Sequence, residues 1–379
     1  MSYDSLLAKI RNNPLIVYRE VTKMLYSIKS RGLLVLMGLV AALALTTIAC
    51  GAAATPTPQV TPTPQVVEVT KEVVVTPTPA PKGPIIFSDL NWDSAQIQNR
   101  IAMFIMEHGY GYPVDTIFGD TIALWNGLLK GDTHITMEVW LPNLQEVWDK
   151  AIAEGTVIPV GRSLDNNWQS AFVIPTYVAE ENPELKSVQD LRQFKDLFVT
   201  PDSKGQARLV TCIAGWECEK INEAKVKAYG LEDVVELVNP GSAAALFASL
   251  EGAHEKREPW LGYMWGPTKP AAELDLTTLE EPPYSKECWE SNHACAYPTA
   301  RVMIAVHPSL VTRAPEVVEL LRKWDFEAQS QVAAETWMTD NNATVEEAAV
   351  WFLKNHEEVW TQWTPADVAE RVKQALAQS

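Results

Sequence analysis

The chain reads as an α/β protein, with mainly parallel sheets flanked by helices. Three observations predict this. Strand-like apolar runs alternate with helical patterns from Ile85 onward, the order that gives parallel strands covered on both faces. Glycine or proline closes most of these runs, as at Gly109, Gly131, Pro142, Gly230 and Pro267. A length of 379 residues suits about two domains on a prior of roughly 100–200 residues each.

The elements follow in order. Residues 85–87 read as a buried strand. Asp93 or Ser94 then caps a helix whose apolar face is Ile97, Ile101, Phe104 and Ile105, and Gly109 ends it. Residues 112–118 read as a strand and 120–130 as a helix stopped by Gly131. Residues 133–140 alternate, with Ile135, Met137 and Val139 on one face and Thr136, Glu138 and Trp140 on the other. Asn143 and Glu146 form a capping pair for a helix to Glu154. Residues 170–178 are an apolar strand with an internal proline, which predicts an edge or a crossover. Ser187 and Asp190 open a short helix, and Ile221 to Tyr229 is helical up to Gly230. Strands are expected at 234–238, 260–265 and 301–306, a helix at 242–255 and an acidic loop at 275–283. The end is helical over 315–331, 344–356 and 364–377, with Thr344/Glu347 and Thr364/Asp367 as capping boxes.

Charge excludes one class of partner. The chain carries 31 Lys+Arg against 48 Asp+Glu, a net −17, so it lacks the basic footprint that nucleic acid requires. The N-terminus has the opposite character. Residues 33–49 form an apolar run preceded by Lys29 and Arg31, and the run ends Thr47-Ile48-Ala49-Cys50-Gly51. This is a lipoprotein-type signal over residues 1–49, with Cys50 as the lipidated residue and Met1 or Met24 as the start. A single membrane anchor is the rival reading, at the short limit for spanning. Residues 50–84 form a Thr/Pro-rich tether; 8 of the 25 prolines fall within it, a density that favours an extended spacer over a packed core. An anchored, extracytoplasmic placement allows disulfides.

Cys212, Cys218, Cys288 and Cys295 remain besides Cys50. The local pairings are Cys212 with Cys218 and Cys288 with Cys295, and three connectivities stay open. Zinc is the competing reading, but no Cys-x2-Cys or neighbouring His pair supports it. No metal and no cofactor is expected. The sequence holds no Gly-x-Ser-x-Gly, His-Glu-x-x-His, P-loop or Gly-x-Gly-x-x-Gly, so no catalytic residue is assigned.

Tryptophan supplies the functional signal, with 14 copies against 10 Tyr and 9 Phe. Trp140 and Trp265 each end a predicted strand, and a proline follows each two residues later. Trp216 lies in the loop Cys212-Ile-Ala-Gly-Trp-Glu-Cys218, just before a helix. In open α/β sheets ligands bind at the carboxyl ends of strands, so these three indoles can converge on one cleft. Their faces attract a cation, and the free N–H groups of a helix start attract an anion. Trp148, Trp324, Trp337, Trp351 and Trp360 read as core, while Trp92, Trp125, Trp168 and Trp260 are unassigned.

The stretches Ile135-Thr-Met-Glu-Val-Trp-Leu-Pro142, Cys212-Ile-Ala-Gly-Trp-Glu-Cys-Glu219, Gly262-Tyr-Met-Trp-Gly-Pro267 and Asp275-Leu-Thr-Thr-Leu-Glu-Glu-Pro282 resemble the glycine betaine/proline betaine substrate-binding proteins of ABC transporters. The resemblance runs from about Ile85 to the end. It implies a two-lobed periplasmic-binding-protein-like fold (type II) that closes on its ligand; the apolar strands near Phe172 and Val302, where the chain can cross, divide it into one lobe of residues 85–172 plus 303–379 and another of residues 173–302. It implies a Trp140, Trp216 and Trp265 cage around a quaternary ammonium, with the ligand carboxylate on the N–H groups of Glu217 and Cys218 and with Cys212–Cys218 as the loop's disulfide. The partners implied are that small molecule and an ABC transporter permease.

Two departures bear on the ligand. Glu217 stands where relatives often have glycine, so its side chain must turn away or the ligand lacks a carboxylate. Asn143 is the polar donor after Trp140, where relatives carry histidine. Glu138 shares the Trp140 face and either supplies a counter-charge or is a solvated strand carboxylate. A Trp-rich secreted protein also suits sugar stacking, so a sugar-binding lipoprotein is the alternative, with a hydrolase behind it.

Overall fold

The computed structural model describes residues 82–164 and 170–379. The signal, the tether up to residue 81, Cys50 and Trp168 lie outside the described residues. Among the described residues the strands are β1 (Ile85–Leu90), β2 (Val114–Gly119), β3 (Ile135–Leu141), β4 (Ile158–Leu164), β5 (Ala171–Pro175), β6 (Ala207–Val210), β7 (Val235–Val238), β8 (Gly262–Met264), β9 (Leu276–Thr278) and β10 (Arg301–Val306). They form two five-stranded sheets, ordered β2-β1-β3-β10-β4 and β7-β6-β8-β5-β9.

Both sheets are mixed in the same way. In the first, β1 runs parallel to β2 and β3, while β10 is antiparallel to β3 and β4. In the second, β6 runs parallel to β7 and β8, while β5 is antiparallel to β8 and β9. The chain leaves the first sheet after Leu164, enters the second at Ala171, and returns to the first at Arg301. Thus β10, late in sequence, fills the first sheet, and β5 sits inside the second.

Three apolar clusters follow this plan. One lies between the first sheet and the C-terminal helices, around Phe87, Ile101, Ile304, Leu320, Phe352 and Trp360. A smaller one, with Trp125, Val139 and Trp148, lies under the helices Thr121–Lys130 and Gln145–Glu154. The third surrounds the second sheet and continues to Leu90, Trp92 and Leu124 of the first, so the two sheet modules share a core where they meet.

Several local expectations change. Gly109 does not end the first helix: Asp93–Phe104 passes into a π-helical turn, Ile105–Tyr110, and ends at Gly111 with φ 70°. Gly109 instead gives room to the Ala366–Leu376 helix; an added Cβ would lie 2.7 Å from Val368 Cγ1. The N-cap of the first helix is Trp92 without a side-chain bond, and that of Gln145–Glu154 is Leu144, so neither Asp93, Ser94 nor Asn143 caps. Residues 170–178 are not an edge: β5 is flanked by β8 and β9, with Pro175 as its last residue. The acidic loop contains the edge strand β9, and the 315–331 helix is broken into Pro315–Arg322 and Ala328–Asp340. The Thr344/Glu347 capping box is present, whereas Pro365 is the N-cap of the last helix and makes no side-chain bond. Cys212 pairs with Cys218 and Cys288 with Cys295, at Cα–Cα separations of 6.1 and 6.4 Å.

Candidate functional site

Parallel strands of both sheets end on the same cleft. β1 runs out to Trp92, β3 ends at Trp140 and Leu141, β6 leads into the Cys212 loop, and β8 is followed by Trp265. Trp92, Trp140, Trp216, Trp265 and Tyr263 line this cleft together with Thr121, Glu138, Asn143, Leu144, Glu217 and Cys218; its empty space is about 490 Å³, part of it open to solvent. All six residues singled out as ligand-contacting in the sequence therefore meet at one place. The Leu141–Pro142 and Gly266–Pro267 bonds beside two of the indoles are both cis.

The indoles are set edge to face. Trp216 meets Trp92 at 5.0 Å between centroids and 75°, and Trp265 at 5.2 Å and 82°. Tyr263 stacks on Trp265 at 5.9 Å and 25°, and its hydroxyl donates to Ser170 Oγ at 3.0 Å. Such pairs hold their rings beyond what area burial alone supplies. Trp216 Nε1 donates to Asn91 Oδ1 at 2.6 Å, from the second sheet's module to the first's.

Glu138 is not solvated. It is 3% exposed, and Oε2 accepts both Trp92 Nε1 and Trp140 Nε1 at 2.8 Å. Gln98 Nε2 donates to Oε1 at 2.8 Å. Alternation along β3 puts Glu138 on the Trp140 face, and Trp140 itself is one donor; the others, Trp92 and Gln98, come from the Asp93–Phe104 helix and its cap, which no local pattern shows. Indole and amide N–H groups can only donate, so the surroundings suit an ionised carboxylate. Burial still raises its pKa, and the bonds from Trp92, Ser94, Trp140 and Gln98 lower it in part. In its ionised form this carboxylate, held behind the indole faces, favours a cation in front of them.

The opposite wall carries the positive end of a helix. Glu217 and Cys218 are the first residues of Glu217–Ala228, with Trp216 as N-cap and no capping side chain. Their N–H groups have no intrahelical acceptor and border the cleft. The Glu217 carboxylate is turned along the helix to Lys220 Nζ at 3.3 Å, and Glu219 Oε2 takes the Gly215 N–H at 3.1 Å. The arrangement can bind a methylated ammonium group between the indoles and a short acidic tail at the helix start.

Trp92 belongs to the cleft although the sequence left it unassigned; its position at the carboxyl end of β1 is the signal that could have found it. Of the tryptophans read as core, Trp148, Trp324 and Trp360 are buried, while Trp337 and Trp351 stack on each other at 5.3 Å and are partly buried against the core of the first sheet. Among the described residues no group of His, Cys, Asp and Glu could hold a metal ion, and no helix is long and apolar enough to cross a membrane.

Known proteins share this design. The family model described as the substrate-binding domain of ABC-type glycine betaine transport systems matches residues 83–355. A trimethylamine N-oxide-binding protein of Pelagibacter ubique is 26% identical over 296 residues, 75% of this chain and 91% of its own length. A glycine betaine/proline betaine-binding periplasmic protein of Salmonella typhimurium is 26% identical over 148 residues, 38% of this chain and 43% of its own. A solved ABC-transporter choline-binding protein in complex with choline superposes with a TM-score of 0.63 at 20% identity, over 77% of this chain and 98% of its own. A lactococcal glycine betaine-binding domain, closed on glycine betaine, gives 0.58 at 21% identity over 75% and 100%. These structures share the two-lobed type II binding-protein fold with the present chain.

Proposed function

From the premise that the chain belongs to the family of substrate-binding domains of ABC-type glycine betaine transport systems, we propose that it captures a methylated ammonium solute in the tryptophan cleft and delivers it to a transporter permease. The candidates are glycine betaine, proline betaine, choline and trimethylamine N-oxide. The observation that carries this reading is the joint presence of four indoles and the buried Glu138 carboxylate around one space. Trp92, Trp140, Trp216 and Trp265 enclose the methyl groups, and Glu138 opposes their positive charge. The N–H groups of Glu217 and Cys218, with Asn143 at the rim, receive the ligand's oxygen. The two sheets are the centres of two lobes that close on the ligand. The protein performs no chemistry. Cys50 carries the lipid that holds it outside the cell membrane, and residues 50–84 are the tether.

Calorimetric titration of the full-length chain with glycine betaine, choline, trimethylamine N-oxide and maltose tests this. Saturable binding of a methylated ammonium compound, lost in Trp216→Ala, is expected. Binding of maltose alone would replace the reading with sugar stacking.

A further inference from the structure

Behind the cage, one buried carboxylate ties the two sheet modules together. The helix Ala328–Asp340 packs on Asp93–Phe104 and Val345–Asn355, in the first module. From this helix Glu335, only 4% exposed, reaches across. Its Oε2 accepts the backbone N–H of Lys269 at 2.9 Å, and its Oε1 accepts Gln331 Nε2 at 2.7 Å. Lys269 opens the short helix Lys269–Glu273 of the second module, whose N-cap Thr268 donates from Oγ1 to the carbonyl of Trp265 at 3.1 Å. Two more bonds join the same helices: Lys269 Nζ to Asp340 Oδ1 at 2.9 Å, and Thr336 Oγ1 to Glu273 Oε1 at 3.2 Å.

We propose that Glu335 is a positioning residue for the cage: its carboxyl group clasps the Lys269 N–H in the closed arrangement and so holds Trp265 against Trp216. This rests on the capture of a ligand by closure proposed above. A helix start withdrawn from Glu335 takes Thr268 and Trp265 with it, because three residues separate Lys269 from the clasp's target indole and the Thr268 bond stiffens the turn between them.

The clasp has a pH signature. Asp93 faces Glu335 from the Asp93–Phe104 helix, Glu138 from β3 and Lys269 from its own helix, while the Lys269 ammonium turns to Asp340 with Glu251 and Glu273 beside it. Burial first, then the Asp93 and Glu138 charges, push the Glu335 carboxyl up to about 8, against the bonds from Lys269 and Gln331 that lower it. Opening lets water back and returns the group toward 4.5. The closed-form value is the higher one, so closing takes up a proton. The stabilisation of the closed form is full below the ordinary carboxylate range and is lost as pH rises toward about 8.

Choline keeps one charge across this window, so its affinity for the full-length chain, read by tryptophan fluorescence and calorimetry from about pH 5.5 to 8.5, reports the clasp. The expected Kd rises by roughly two orders of magnitude over the window, as linkage between a value near 4.5 when open and about 8 when closed requires. Glu335→Gln keeps an oxygen for the Lys269 N–H and is expected to bind with a flat profile; Glu335→Ala loses the acceptor and binds weakly at every pH. A wild-type slope retained in Glu335→Gln overturns the proposal. Should that variant not fold, Lys269→Pro removes the donated N–H at a first helical position that accepts proline, and Lys269→Ala controls for the lost ammonium. Weaker binding by the proline variant is expected, and equal binding overturns the clasp. A wild-type chain that binds neither choline nor betaine at any pH overturns the capture reading itself.

Discussion

The Trp216 indole donates to Asn91 Oδ1 at 2.6 Å, and this bond closes the cage across the two modules. Asn91 directly follows β1, and Trp216 directly precedes the Glu217–Ala228 helix. The same indole meets Trp92 edge-on at 5.0 Å. On the proposed closure an open arrangement would separate both pairs, so the bond is expected to contribute to closure rather than to the folding of either module. Asn91→Ala should weaken ligand affinity by about 1 kcal/mol, the usual net value of one hydrogen bond, while the ligand-free melting temperature stays unchanged. Calorimetry and thermal unfolding of the variant check this; a lowered melting point with unchanged Kd would make Asn91 a folding residue instead.

Glu138 gives a sharper expectation. Its Oε2 accepts two indole N–H groups, from Trp92 and Trp140. In Glu138→Gln one carboxylate oxygen becomes an amide donor, so either both indoles or Gln98 face another donor. Leaving a buried donor unmatched costs about 1–3 kcal/mol, and the charge behind the cage is gone. Choline affinity should drop by at least that amount. The comparison with 3,3-dimethyl-1-butanol, the neutral isostere of choline, separates charge from shape: the preference for choline should shrink in the variant. A preference that survives would assign cation selection to the indole faces alone.

Much of this arrangement is legible in the sequence. Trp140 and Trp265 end strands, Trp216 starts a helix, and the alternation of residues 133–140 puts Glu138 with Trp140; each follows from local pattern. What local pattern cannot supply is the partner from far along the chain. The burial of Glu138 depends on Gln98 and Trp92, some forty residues earlier. The place of β10 in the first sheet depends on strands more than a hundred residues before it. The internal proline of residues 170–178 predicts an edge or a crossover; the chain does cross into the second sheet here, but Pro175 closes the strand and the sheet continues past it with β9. The stop expected at Gly109 fails because this glycine answers to Val368 and Val372 of a distant helix rather than to its own helix end.

Gly262 tests the packing beneath Trp265. A Cβ there would run into the Trp260 ring and come 2.7 Å from Val210 O. Trp260 is 6% exposed and donates to Ser249 Oγ at 3.1 Å, so the ring is held and cannot swing away. Gly262→Ala should therefore destabilise the second module by about 1–3 kcal/mol, the range for overpacked cores, and displace Trp265, which follows β8. Denaturant unfolding and ligand titration should both register it. An undisturbed Kd alongside lowered stability would mean that β8 shifts without moving the cage.

Glu217 decides how the cleft treats a ligand carboxylate. Its side chain borders the cleft but is turned to Lys220, at 3.3 Å. The helix start favours an anion, and a glutamate in the first turn takes up part of that field. Glu217→Gly removes the competing charge while leaving the N–H groups in place. Glycine betaine, which carries a carboxylate, should then gain relative to choline, which carries none, by about 0.3–1 kcal/mol, the usual worth of a charge at a helix terminus. The ratio of the two affinities, measured by calorimetry on one preparation, cancels any general cost of introducing glycine. A ratio that does not move would show that the turn toward Lys220 already removes Glu217 from the ligand's field, and would place the choice between the two solutes with Glu138.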